Sequence, residues 1–121
     1  MKMSQTEIGI MEARFAQIIW DNAPMTTRRM VELCQQELNW ARTTTYTVLK
    51  KLCDRGLFKM EKKMVTVLVS QAEFNAMRSE ELVDDAFGGS LPAFLVAFGF
   101  RKKLTDKEIE ELHKLIDDMR G

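Results

Sequence analysis

NWARTTTYTVLKKLCDRGLFKMEKKMVTVLV, residues 39–69, runs from a threonine-rich helix start through an apolar stripe to a glycine stop, then into a basic hairpin. Thr45, Val48, Leu49 and Leu52 recur at the spacing of one helical face, and Gly56 supplies the left-handed residue that ends such a helix. Leu57–Met60 and Met64–Val69 read as two strands around the polar turn Glu61-Lys62-Lys63, with Val65, Val67 and Val69 keeping the period of a pleated strand. A helix of this size with a polar outer face, followed at once by a basic hairpin, is the order of a recognition helix and its wing. That layout predicts a winged helix-turn-helix, whose exposed helix face fits a DNA major groove.

Upstream, Ser4-Gln5-Thr6-Glu7 has capping-box spacing, and Ile8, Met11, Phe15, Ile18 and Ile19 follow on one face. The residue before Pro24 is pushed out of helical geometry, so Asp21-Asn22-Ala23-Pro24 ends that helix. Thr26 can cap a second helix in which Val31, Cys34 and Leu38 share a face, and Asn39–Ala41 turns into the third. Downstream everything reads as helix. Ser70-Gln71-Ala72-Glu73 opens one running to about Phe87. Gly88-Gly89-Ser90 breaks the chain, and Pro92 suits the first turn of an apolar helix Leu91–Phe98. Thr105-Asp106-Lys107-Glu108 caps a last helix, whose Ile109, Leu112, Ile116 and Met119 form a narrow seam suited to one partner helix. The expected fold is mainly α with a small β-hairpin: a winged-helix DNA-binding domain over residues 1–70, and a C-terminal helical dimerisation region over 71–121.

Composition agrees with such a protein. Of 121 residues, 45% are hydrophobic, enough for a real core. The formal net charge is zero, which by itself argues against nucleic acid, but its distribution does not. Residues 42–70 carry seven basic side chains against Asp54 and Glu61, whereas residues 71–121 carry seven basic against eleven acidic. An electropositive middle beside an acidic tail is expected where one module meets phosphate and the other does not. MKMSQTEIGIM lacks the apolar core of a signal peptide, and no apolar run reaches the roughly 18–20 residues that span a bilayer. A cytoplasmic protein with no membrane insertion is therefore expected.

For DNA contact the candidates are Arg42, Thr43, Thr44, Tyr46, Thr47, Lys50 and Lys51 on the third helix, with Lys62 and Lys63 on the hairpin and Arg28 on the second helix. Threonine is a mediocre helix former, so Thr43-Thr44-Thr45 is most easily accommodated at a helix start, where the hydroxyls can reach phosphates or base edges. Taken alone, that helix also fits an ordinary capped polar face; the preceding helix, the turn and the basic hairpin favour groove contact. Lys59, Lys62 and Lys63 would sit on backbone phosphate, although lysines also guard exposed strand edges. Trp20 and Trp40 lie where helices pack rather than where bases stack. His113 is the only histidine, Cys34 and Cys53 lack CxxC spacing, and no phosphate loop or nucleophile elbow is present. Neither an enzyme nor a metal or other cofactor is expected. Two further readings remain beside the DNA-binding one: a winged-helix module that docks a protein partner, and a thiol-redox-sensing regulator using Cys34 or Cys53.

Strung together, Ile18-Ile19-Trp20, Asn39-Trp40, Thr44 with Thr47, LKKLCDRGL at Leu49–Leu57, VSQAEF at Val69–Phe74, Gly88-Gly89 and LTDKEIEEL at Leu104–Leu112 resemble the penicillinase-repressor family over nearly the whole chain. The resemblance implies a homodimeric winged-helix repressor of the antibiotic-resistance type, bound to inverted-repeat DNA operators. It implies dimerisation through the C-terminal helices, here Phe94, Leu95, Phe98, Ile109, Leu112, Ile116 and Met119. It also implies release of the operator after a membrane sensor protease triggers cleavage. The family's Asn-Phe cleavage bond maps onto Ala97-Phe98, where the phenylalanine matches and the asparagine does not. The family's Ser-Pro-Lys start of the recognition helix reads Ala41-Arg42-Thr43, and Tyr46 stands where an arginine or glutamine can occur. No paired Cys-x-Cys motif follows Leu104.

Overall fold

A computed structural model describes residues 6–120. Its first helix, α1, spans Ile10–Asn22 and packs Phe15, Ala16, Ile18 and Ile19 inward. It starts later than the Ser4–Glu7 motif suggests, because Gly9 takes the N-cap position; Ser4 and Gln5 lie outside the described residues. Met11, in the first turn, stays exposed, and Ala16 fills the interior instead. Thr26 caps α2 (Thr27–Leu38), its hydroxyl accepting from the Arg29 amide at 3.1 Å. Asn39 then turns left-handed at φ 57°, and the Trp40 amide reaches back to the Cys34 carbonyl at 3.3 Å. Asparagine tolerates that conformation better than most residues. The turn delivers the Trp40 ring onto Phe15, stacked at 5.5 Å.

Helix α3 spans Arg42–Asp54 and buries Thr45, Leu49 and Leu52, while Val48 is half-buried. Gly56, at φ 83°, allows a Schellman stop: its amide bonds the Cys53 carbonyl at 2.9 Å and the Leu57 amide bonds the Leu52 carbonyl at 3.1 Å. The hairpin strands are Phe58–Glu61 and Met64–Val67, joined by a tight turn at Lys62-Lys63 rather than a three-residue one. The sheet has a third strand beyond the hairpin expected from the sequence. Met25–Thr26, designated β1, pairs antiparallel with the second hairpin strand β3 (Met64–Val67), which also pairs with the first, β2 (Phe58–Glu61), giving a three-stranded sheet ordered β1-β3-β2. Two residues carry no detectable period, and their pairing is with a segment far along the chain.

The core gathers Phe15, Ile19, Met30, Leu49, Leu52, Leu57, Phe58, Val65 and Phe74. Each large side chain so buried contributes roughly 1.5–3 kcal/mol relative to exposure. Trp20 joins this core at its edge: its indole N–H donates to the Val69 carbonyl at 3.0 Å, and its rings lie 5.6 Å from Phe58 and 5.2 Å from Phe74.

Helix α4 spans Gln71–Phe87, with the Ser70 hydroxyl accepting from the Glu73 amide at 3.1 Å. Helix α5 spans Leu91–Arg101, a turn longer than its apolar run suggests, and is capped by Ser90. Helix α6 spans Asp106–Met119 and begins with a complete capping box between Thr105 and Glu108. The chain divides into two compact units, Met1–Ser79 and Glu80–Gly121. Ser70 marks where the sheet gives way to helix; the compact division falls later, inside α4, because Phe74 is built into the first unit's core. No single described helix is long and apolar enough to cross a membrane.

Candidate nucleic-acid interface

Three elements of the first unit meet at one cleft of about 450 Å³: Thr27, Arg28, Val31 and Glu32 from α2, Arg42 and Tyr46 from α3, and Lys63 from the hairpin turn. The turn is fastened there by the backbone, the Thr27 amide donating to the Lys63 carbonyl at 3.0 Å. Arg42 lies with its guanidinium carbon 5.6 Å from the centre of the Tyr46 ring. Such stacking favours the cation through the ring's quadrupole, by about 0.5–1 kcal/mol at an exposed site. Glu32 takes an ion pair from Arg28 at 3.8 Å and another from Arg29 at 3.3 Å, while the Arg28 side chain stays 91% exposed.

The outermost stripe of α3 is formed by Thr43, Thr47 and Lys50, all exposed. The Thr47 hydroxyl donates to the Thr43 carbonyl at 2.9 Å, so its hydrogen is engaged and its methyl and lone pairs remain for a partner. Thr44, also exposed, lies on the opposite flank from Arg42 and Tyr46. Thr45 does not face outward at all: it is fully buried, its hydroxyl satisfied by the Ala41 carbonyl at 3.0 Å. Lys51, grouped by sequence with the DNA candidates, is instead bonded to Glu12 of α1, Nζ to Oε1 at 2.8 Å. The structure thus brings Arg28, Arg42, Tyr46 and Lys63 together, sets Thr43, Thr47 and Lys50 beside them, and sends Lys51 elsewhere.

On the hairpin, Lys62 and Lys63 have φ of 52° and 62°. Both are exposed at the tip. Lys59 is paired with Glu61 at 2.9 Å; this hydrogen bond and charge raise the lysine pKa and lower that of the glutamate. A second groove of about 300 Å³ separates α3 from the hairpin, lined by Tyr46, Leu49, Lys50, Cys53 and Met60. Val31 and Met60 carry no sequence signal for such a role, because only the packing of distant segments places them there.

The cysteines are poorly suited to thiol chemistry. Burial pushes Cys34 up to about 11, with Glu37 adding to the rise and a Thr45 hydrogen bond opposing it. Cys53 is raised as well, by burial first and then by Asp54. A reactive sensor thiol needs the opposite shift. Among the described residues no group of acidic, histidine and cysteine side chains could hold a metal ion.

In the second unit α5 and α6 border an apolar groove of about 270 Å³, lined in part by Phe94, Leu95, Phe98, Leu104 and Leu112. Phe94 meets Phe87 edge-on at 5.5 Å and Phe98 at 6.2 Å. No described residue of α5 or α6 is buried. Phe98 is 39%, Ile109 38%, Ile116 52% and Met119 79% exposed, while Phe94 and Leu112 are half-buried. Ala97 and Phe98 sit inside α5.

The family model for the penicillinase repressor matches residues 8–118. The methicillin resistance regulatory protein MecI of Staphylococcus aureus is 24% identical over 115 residues, covering 92% of this chain and 94% of that protein. A penicillinase repressor of Staphylococcus aureus is 21% identical over 123 residues, covering 98% of each. The match runs through both compact units, and the chain belongs to the penicillinase repressor family, a family of DNA-binding transcriptional repressors and not of enzymes.

Proposed function

We propose that the protein is a homodimeric, cytoplasmic repressor that reads an inverted-repeat operator. Each subunit lays α3 in a major groove and sets the Lys62-Lys63 tip on neighbouring phosphate. The DNA-binding part is the winged helix, and the chain beyond it, with α5 and α6, holds the two copies together. The observation that carries this reading is the contrast between the two units: one has a closed core and an outward cationic cleft, the other has no buried residue among α5 and α6. A segment that small cannot hold its helices together in water on exposed apolar faces alone. A second copy supplies the missing cover, with Phe94, Leu95, Phe98, Ile109, Leu112, Ile116 and Met119 facing across a two-fold axis.

Release follows from the same arrangement. Cutting at Ala97-Phe98 by a protease under a membrane sensor, the family's mode of induction, would sever α6 from the DNA-binding part. That bond lies within α5, so a protease must first unwind the helix around it. The test of dimeric operator reading is footprinting on the gene's upstream DNA, together with sedimentation of the complex. Two protected half-sites about one helical turn apart, or a multiple of it, with two chains per duplex, are the expected result. One chain on one site would overturn the proposal.

A further inference from the structure

Arg42 and Tyr46, one helical turn apart on α3, form one unit: the guanidinium lies over the ring, 5.6 Å from its centre. Successive helix residues are about 100° apart, so Arg42 points well away from Thr43, and the two serve different surfaces. Arg42 turns toward α2, where Arg28 and Lys63 rim the same cleft. Three cations from three elements line one cleft together with Val31 and Tyr46. The Thr27–Lys63 backbone bond fastens the hairpin turn, from which the Lys63 side chain reaches the cleft, to the start of α2. Glu32, which also lines the cleft, pairs with Arg28 at 3.8 Å and with Arg29 at 3.3 Å, and leaves the Arg28 side chain 91% exposed.

Resting on the operator-binding reading above, we propose that Arg28, Arg42 and Lys63 form a seat for one backbone phosphate of DNA, with Tyr46 orienting Arg42. Base discrimination then falls to Thr43, Thr47 and Lys50. The occupant is a phosphodiester rather than a base edge because the cleft gathers three positive charges against the single carboxylate of Glu32, and Arg42 offers a planar guanidinium fork, the chemistry of phosphate recognition. It belongs to the DNA backbone because the seat adjoins the stripe of α3 that enters the groove. That stripe is built for reading: residues 43, 47 and 50 fall on one face, and Thr47 offers a methyl to thymine or lone pairs to an exocyclic amine.

The test uses the full chain and its operator. One set of duplexes carries every single base-pair substitution in a half-site; another replaces each phosphate in turn by a neutral methylphosphonate. Arg42→Gln is expected to weaken all base-pair variants by the same factor, about tenfold, and to flatten the salt dependence by about one phosphate contact. At one methylphosphonate position wild type loses more than that factor, while Arg42→Gln, which keeps only Arg28 and Lys63 there, loses less than wild type does. Thr47→Ser is expected to leave the salt dependence intact and narrow the preference at one base pair. Arg42→Gln relaxing discrimination at a single base pair would overturn the assignment, as would a scan in which no phosphate is coupled to Arg42. Saturable binding of inorganic phosphate to the DNA-free protein, lost in Arg42→Gln, would make a free anion the occupant and overturn the assignment to backbone. Wild type without sequence preference would instead refute operator reading itself, and the seat with it.

Discussion

Lys62 and Lys63 hold a left-handed backbone that asparagine and glycine adopt at lower cost. Each such residue costs on the order of 1 kcal/mol, so the tip gives up stability to carry two cations. Replacing the pair by Asn-Gly is expected to raise the urea midpoint, by about 1 kcal/mol of stability, and to weaken DNA binding with a shallower salt dependence. A variant both more stable and as tightly bound would remove the tip from the interface. Cys34 supplies a second residue-level expectation. Burial raises its thiol from the ordinary 9.0 to about 11, so between those values the folded state keeps a proton that the unfolded chain releases. Stability is fully present below pH 9 and falls as pH rises toward 11, by about 2–3 kcal/mol for this group. Cys34→Ala should flatten that alkaline decline in urea titrations; an unchanged slope would exclude the thiol as its source. These residues differ in how far the sequence reveals them. Trp40 was readable as a packing residue, since the turn before α3 must be anchored. The cleft shared by Val31, Glu32 and Lys63 was not, because it depends on the distance between segments more than thirty residues apart.

Helices were legible because their signals are local: Thr26, Ser70 and Thr105 announce starts that the structure contains. The capping spacing ahead of Gly9 points to an earlier start than α1 has, and β1 carries no local signal because its two residues become a strand only by pairing with Met64 and Val65. Elements are joined by side chains with a similar non-local character. Trp20 binds Val69 and packs against Phe58 and Phe74, tying α1 to the sheet and to the first turn of α4. Gln17 and Gln71 repeat the connection, exchanging amide hydrogen bonds at 2.6 and 3.1 Å. Trp20→Phe keeps an aromatic ring but loses the indole N–H, leaving the Val69 carbonyl without that donor. A cost of about 1–2 kcal/mol is expected in urea unfolding, with faster hydrogen exchange in the first turn of α4. Slower exchange, or none of that cost, would contradict the role given to the indole.

For the whole molecule, the informative property is the difference between its two compact units. The first could be anticipated from apolar periodicity, and the charge excess over residues 42–70 pointed to its outward face. The second was legible as helices but not as a completed core, since one chain does not contain one. Ile116 is 52% exposed, so a charge there stays within reach of solvent in a single protomer. Ile116→Glu is nevertheless expected to shift sedimentation toward monomer. Because linked half-sites lose their effective concentration, the affinity for a full site should drop roughly 10²-fold or more while half-site affinity is kept. An Ile116→Glu protein that remains dimeric would place the interface elsewhere. The most direct test of repressor function is fluorescence anisotropy of the intact protein on its own upstream DNA, beside a scrambled duplex, from about 50 to about 200 mM salt. Tight binding that prefers the native sequence and weakens steeply with salt is expected. Equal, weak or salt-insensitive binding to both duplexes would contradict specific operator recognition.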